Sequence, residues 1–269
     1  MVNSTALLHY AARAGDHNDR AMAASPHLAA ALASHLQTQP TVIGKASPSG
    51  PLNWDAELAL ALPDLKSLAA SLDVGFNNKQ HPVIVCSRCA VGLATLPVVA
   101  RHVPDVLVVW FDAHGDLNTP ATSGSGHIGG MALAGALGLW ESGLGVGIKS
   151  VVLAGSRDID AAEKPFIDGE RVRLVSPGPG FVQELKAVVT GRKVYVHIDC
   201  DVLSPGQVPT NNKVPGGLSL VQLAEAAAAI AQVAEVVGVE VGELETGETE
   251  EETKVNAKVL VDTLGPMLK

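Results

Sequence analysis

The sequence predicts an α/β fold, a three-layer α/β/α arrangement around a mainly parallel sheet of about eight strands. Two observations carry this. Short β-rich runs alternate with helix-like segments along the 269 residues, and the continuous apolar character of 105–111 and 150–154 fits strands buried on both faces.

The strand-like runs are "ALLHY" 6–10, "TVIG" 41–44, "PVIVC" 82–86, "DVLVVWF" 105–111, "SVVLAG" 150–155, "RVRLV" 171–175, "KVYVHI" 193–198 and "EVVGVEV" 235–241. Helical patterns lie between them, at 26–36, 54–72, 93–102, 129–140, 181–189 and 220–234. The "TEEE" stretch from Thr249 to Glu252 matches a capping box and predicts a last helix through "NAKVLVDTL". No linker, repeat or low-complexity tract divides the chain, so 1–269 is expected to form one catalytic domain.

Composition narrows the function classes. A hydrophobic content of 47% with 17% charged residues argues against disorder. The formal net charge of −9 argues against nucleic acid and anionic membranes as partners. Three cysteines, Cys86, Cys89 and Cys200, form no disulfide framework and suit a reducing compartment. The N-terminal stretch lacks a basic leader, and no apolar run reaches the length of a membrane span. A cytoplasmic protein is the expectation.

In parallel α/β sheets, ligands bind beyond the carboxyl ends of the strands. There the stretch "VVWFDAHGDLNTP", 108–120, places Asp112, His114 and Asp116 at alternate positions. In "VHIDCDVLSP", Asp199 and Asp201 alternate in the same way, and period-two geometry points both carboxylates to one side. Four carboxylates and an imidazole that converge without a cation would suffer repulsion and desolvation together. Two divalent ions solve that problem, and an oxygen-rich donor set suits manganese better than zinc. The bland alternative is a group of solvated turn residues.

At these residues the chain resembles the ureohydrolases, the family of arginase and agmatinase. The family's motifs Asp-Ala-His-x-Asp and Ser-x-Asp-x-Asp-x-x-Asp-Pro are matched here by "DAHGD" and "HIDCDVLSP". "DLNTPATSGSGHIGG" is similar to its substrate loop, "AGSRDID" to its Arg-Asp-x-Asp turn, "VPGGLS" to its Pro-x-Gly-Gly-Leu segment, and "VGVEVGELE" to its acidic guanidinium-binding segment. The resemblance implies an arginase-like fold and two manganese ions. Asp112 and Asp199 would bridge them, with Asp116 completing one site, and His114 and Asp201 the other. It further implies His127 as a proton-handling residue, Glu243 as the guanidinium grip, Asn118 and Ser123 near an α-carboxylate, and Asp160 with Glu163 near an α-amino group.

Two departures matter. Where the family has Gly-Gly-Asp-His-Ser, this chain reads "SRC", so Cys89 stands for a metal-binding histidine and Arg88 for an aspartate. In the second motif, Ser204 replaces the aspartate before proline. Cys89 is read as a thiolate ligand, since a divalent metal deprotonates a coordinating thiol. A buried apolar cysteine beside a weakened metal position is the alternative. The cysteine, the "AHGDLNTP" stretch at 113–120 and the "LATLPVVAR" helix resemble the branch that hydrolyses Nω-hydroxy-L-arginine in cycloserine biosynthesis.

The function this implies is hydrolysis of a guanidino amino acid, Nω-hydroxy-L-arginine to ornithine and hydroxyurea, by a bridging hydroxide on a binuclear manganese cluster. The alternatives are arginase, an agmatinase- or formimino-type amidinohydrolase, or a metal-poor pseudoenzyme that binds an amino acid or a protein. A monomer or weak homo-oligomer is expected, because the chain stops shortly after its last helix. Cys86 is expected to pack in its strand, and His9, His17, His27, His35, His81 and His102 to have surface or satisfied-core roles. "GLGVGI" 143–148 follows a helix-like segment rather than a strand, so it does not read as a dinucleotide loop.

Overall fold

The computed structural model describes residues 4–167 and 169–268. Eight strands, β1 (Thr5–Tyr10), β2 (Thr41–Ile43), β3 (His81–Val85), β4 (Leu107–Phe111), β5 (Ser150–Ala154), β6 (Val172–Val175), β7 (Lys193–Asp199) and β8 (Glu235–Gly242), form one sheet. Every pairing is parallel, and the order is β2-β1-β3-β8-β7-β4-β5-β6. The expectation of a mainly parallel sheet is met in full.

The helices are α1 (Arg20–Leu36), α2 (Trp54–Asn77), α3 (Gly92–His102), α4 (Ala132–Ala136), α5 (Lys164–Ile167), α6 (Phe181–Val189), α7 (Leu220–Val233) and α8 (Glu250–Leu264). Strand alternation sorts the core into two layers. In β4, Leu107, Val109 and Phe111 face one way and pack with Leu28 of α1, Phe181 of α6, Leu223 of α7 and Leu260 of α8. Val108 and Trp110 face the other way, toward Leu65 of α2, Leu96 of α3 and Leu133 of α4. Burial of each such large side chain contributes roughly 1.5–3 kcal/mol.

Strands β3 and β4 follow one another in the chain, yet β8 and β7 lie between them. Chain direction across the sheet therefore splits around the β8–β7 pair, and in such sheets ligands bind beyond the carboxyl ends of the strands at that point.

Three expectations shift in detail. Helix α1 begins at Arg20, so Pro26 lies inside it rather than at its start. Proline cannot donate to the carbonyl of Met22, and the Ser25 hydroxyl donates there instead at 3.0 Å. The 129–140 pattern gives only a 3-10 turn at Gly129–Met131 and the short α4, because Gly129, Gly130, Gly135 and Gly138 weaken helix propagation. At α8, Thr249 accepts from Glu252 N at 3.1 Å, but the Glu252 carboxylate takes the N–H of Glu248 rather than that of Thr249. The reciprocal capping box is at α7 instead, between Ser219 and Gln222.

Candidate active site

Parallel register builds the centre. Phe111 of β4 pairs with Ile198 of β7, so the next residues, Asp112 and Asp199, emerge side by side from adjacent strand ends. Both are buried. Asp112 Oδ2 accepts from the Trp110 indole at 3.0 Å, and Oδ1 accepts from His114 N at 2.7 Å. Asp201 is tied in by Ala113 N, which donates to its Oδ1 at 3.0 Å, while Asp201 N donates to Asp199 Oδ1 at 2.7 Å. The two motifs thus brace each other through backbone N–H groups.

His114 Nδ1 lies 3.1 Å from Asp112 Oδ1 and 3.2 Å from Asp201 Oδ2. Cys89 opens a 3-10 turn just after β3, and its Sγ lies 3.1 Å from Asp199 Oδ2 and 4.0 Å from Asp112 Oδ2. Ligand atoms of Asp112, His114 and Asp201 fall within 4.8 Å of one another, as do those of Cys89, Asp112 and Asp116, and those of Cys89, Asp199 and Glu243. All six sequence-identified metal residues are therefore in one cluster, with Glu243 added to it.

The cluster is electrostatically unsatisfied by its own groups. Burial, reinforced by the charge of Asp112, pushes the Asp116 carboxyl well up, and its Oδ2 is buried with no hydrogen-bond partner among the described residues. Burial and the charge of Asp201 do the same to Asp199. Burial raises the Cys89 thiol, and Asp199 adds to that. For Asp112, burial also pushes upward, but hydrogen bonds and charge from His114 outweigh it and hold the carboxyl down. Burial works against a charged His114, yet its bonds to Asp112 and Asp201 raise it above its ordinary value. Several carboxylates and a thiol that can ionise together only beside added positive charge are a fitting donor set for divalent cations.

Asp116 and Glu243 have positive φ, 51° and 62°, which non-glycine residues adopt rarely. The other two such residues among those described, Gln37 and Lys79, close helices. Backbone strain concentrated in the cluster marks a site where side-chain placement outweighs local comfort.

The β3/β8 side carries a cation of its own. Arg88 is buried, donates Nε to Asp16 Oδ1 at 3.1 Å, pairs through Nη1 with Glu243, and lies 3.8 Å from Glu245. Asp16 Oδ2 also accepts from Ser87 Oγ and Ala14 N, each at 3.0 Å. Burial lifts the Glu243 carboxyl to about 7, against the pull of Arg88. The sequence marked Arg88 only as a departure; its role as the partner of buried Asp16 and Glu243 was not legible, because Asp16 lies 72 residues away.

The residues expected to hold substrate line the loops after β4 and β5. Asn118 donates to Asp160 Oδ2 at 2.8 Å, which brings the expected carboxylate and amine ends together. Ser123 Oγ accepts from Gly126 N at 3.0 Å. Glu163 is a brace: its oxygens accept from Leu117 N and Asp160 N, each at 2.8 Å. A side chain on Gly115 would come within 2.8 Å of Glu163 Oε1 and would press on that carboxylate. His127 Nδ1 accepts from Gly129 N at 2.9 Å. Burial, then the charge of His17, lowers it to about 4, so the ring is neutral at pH 7.

Four further residues hold the frame, and of these the sequence marked only Ser204, as a departure from the motif. Arg157, in the Arg-Asp turn, donates to the carbonyls of Asp201 and Val214 at 2.9 and 2.8 Å, clamping the segment after β7. Ser204 donates to Gly217 O at 2.8 Å. His197 and Glu240, on β7 and β8, stand behind Cys89. Only the unusual presence of charge inside apolar strands could have signalled the last pair.

Comparison with known proteins agrees with this geometry. The model of the Arginase family matches residues 54–265. The chain is 38% identical over 226 residues to the N(omega)-hydroxy-L-arginine amidinohydrolase of Streptomyces lavendulae, covering 83% of this chain and 82% of that protein. It is 31% identical over 172 residues to the arginase of Bacillus caldovelox, covering 57% of this chain and 58% of the relative. The solved structure of that arginase superposes with a TM-score of 0.86 at 24% identity, over 99% of this chain and 98% of the other, which speaks to the fold. With the family model covering most of the chain and the metal-type motifs gathered at the sheet's carboxyl edge, the chain belongs to the arginase (ureohydrolase) family.

Proposed function

We propose that the protein hydrolyses Nω-hydroxy-L-arginine to ornithine and hydroxyurea, with two manganese ions held by Cys89, Asp112, His114, Asp116, Asp199 and Asp201. The observation that carries this reading is the position of Cys89 Sγ, 3.1 Å from Asp199 and inside the carboxylate cluster rather than in the apolar core alone. The similarity to a hydroxyarginine amidinohydrolase supports the same substrate.

When bound, divalent ions lower the pKa of water to near neutrality and stabilise the charge that develops during attack on the guanidino carbon. The remaining work falls to the chain. Water's oxygen adds to that carbon, the bond to the δ-nitrogen breaks, and a proton reaches the departing amine. Glu243, held by Arg88, would grip the guanidino nitrogens from the rim of the cluster. Asn118 and Ser123 would bind the α-carboxylate, and Asp160 the α-amino group, with Glu163 holding the Asp160 backbone in place.

Asp116 or His127 would deliver the proton. Asp116 has a buried oxygen with no hydrogen-bond partner among the described residues. His127 is neutral at pH 7 and must take up a proton before giving one.

The thiolate explains the substrate preference. An anionic sulfur in place of an imidazole adds negative charge, which weakens the metals as Lewis acids. An N-hydroxyguanidine is less basic than guanidine, so its carbon is attacked more readily near neutral pH. One observation favours plain arginine instead: buried Arg88, next to Cys89 in sequence, adds compensating positive charge on the same side. Measurement of kcat/KM for both compounds with manganese-loaded protein separates the readings. We expect Nω-hydroxy-L-arginine to be the better substrate; equal or better turnover of L-arginine makes the protein an arginase. A cytoplasmic monomer or weak homo-oligomer completes the proposal; no helix among the described residues is long and apolar enough to cross a membrane.

A further inference from the structure

Behind Cys89 lies a chain of buried polar groups to which the reaction above gives no role. His197 Nε2 is 3.2 Å from Cys89 Sγ, and His197 Nδ1 is 2.8 Å from Glu240 Oε1. Tyr195 donates its hydroxyl to the other Glu240 oxygen at 3.2 Å. The imidazole lies flat on Trp110, with ring centroids 3.5 Å apart and planes within 8°. Tyr195, His197, Glu240 and Trp110 are each fully buried.

Burial of an imidazole, a carboxylate and a phenol in the centre of a sheet is unfavourable unless each is satisfied. Here each is, and the chain of bonds ends on sulfur. His197 also stands where the family motif has serine, and it faces the position where the family's histidine has become Cys89. The two departures touch each other.

We infer that His197, held by Glu240 and Trp110, is a positioning residue that donates an Nε2–H hydrogen bond to the metal-bound Cys89 thiolate. The inference rests on Cys89 being a metal ligand. A thiolate ligand has no proton, so the bond across the 3.2 Å gap must run from Nε2–H to sulfur. One proton shared between Nδ1 and Glu240 satisfies the other side of the ring. Such a bond fixes the sulfur's orientation and draws electron density from it. It thereby offsets part of the loss of Lewis acidity that the thiolate introduces.

Asparagine and glutamine separate this role from packing. In His197→Asn, the amide can replace Nδ1 toward Glu240 but is too short to reach sulfur. In His197→Gln, the longer side chain brings an N–H toward sulfur. The full-length protein is loaded with cobalt(II), and the thiolate-to-cobalt charge-transfer band and cobalt affinity are measured. We expect His197→Asn to move the band to lower energy, as a more electron-rich sulfur requires, and to weaken binding about tenfold. His197→Gln should lie closer to wild type in both. In a Cys89→Ser background, His197→Asn should cause no further loss.

A wild-type band that His197→Asn leaves in place, or an equal shift in both variants, overturns the role of His197 while Cys89 remains a ligand. No thiolate band in the wild type overturns Cys89 ligation itself and this inference with it.

Discussion

The β4/β7 and β3/β8 halves of the site face the same physical difficulty and meet it differently. At β4/β7, Asp112, Asp199 and Asp201 have one partly exposed imidazole, His114, among them. At β3/β8, Asp16 and Glu243 share the buried guanidinium of Arg88. A buried carboxylate needs a positive partner. One half carries a guanidinium in its own sequence; the other has only the His114 imidazole for three carboxylates and, on the proposed reading, takes further positive charge from solution. The contrast teaches that an acidic motif is a candidate metal site only where internal cations are too few for its carboxylates.

The largest expected effect tests the open half. Asp199→Asn should lower activity by more than the roughly 10–100-fold typical of changes outside the ligand shell, and should abolish the rise in Tm expected of the wild type on manganese addition. A manganese-dependent Tm rise that survives the substitution would place the ions elsewhere.

Arg88→Met tests the closed half. It leaves Asp16 and Glu243 buried without their cation, which should cost about 3–5 kcal/mol in urea denaturation. Manganese should not restore that loss. Recovery on metal addition would mean that the two halves are interchangeable, and the comparison would fail.

Within the same half, Ser87→Ala removes one hydrogen bond to Asp16 Oδ2 and should cost about 1.5 kcal/mol. The remaining bonds from Arg88 and Ala14 hold the carboxylate, so the loss stays well below that of Arg88→Met.

A separate test concerns His127, whose Nδ1 accepts from the Gly129 backbone. Its folded-state pKa is about 4, below its ordinary 6.5, so the unfolded chain binds the extra proton first as pH falls. The stability that the neutral ring contributes is present above pH 6.5 and is lost as pH drops toward 4. His127→Gln should therefore lose less stability than wild type across that window. Parallel stability curves for the two would assign the acid sensitivity to other groups.

Much of the fold was legible because each strand repeats a local pattern. The runs at 82–86, 150–155 and 193–198 differ from β3, β5 and β7 by at most one residue at either end. Boundaries failed where side-chain bonds override propensity. Ser25 carries α1 through Pro26, and four glycines shorten the 129–140 pattern. In the site, Asp112, His114, Asp116, Asp199 and Asp201 were legible because two-residue periodicity at a strand end is local. Arg88 was visible only as a substitution, since its partners Asp16 and Glu243 are 72 and 155 residues away.

The sequence by itself determined the alternation of strands and helices, the two acidic motifs and the exchange of histidine for Cys89. The first two follow from side-chain chemistry and backbone period within a few residues, and the third is read from the resemblance to the family motif. Tertiary structure decided which charges meet. The strand order sets β8 and β7 between β3 and β4, and so brings Cys89 to Asp199, Arg88 to Glu243 and His197 to Cys89. Buried charges are stabilised only by partners within a few ångströms, and those partners are chosen by the register of strands rather than by their distance along the chain.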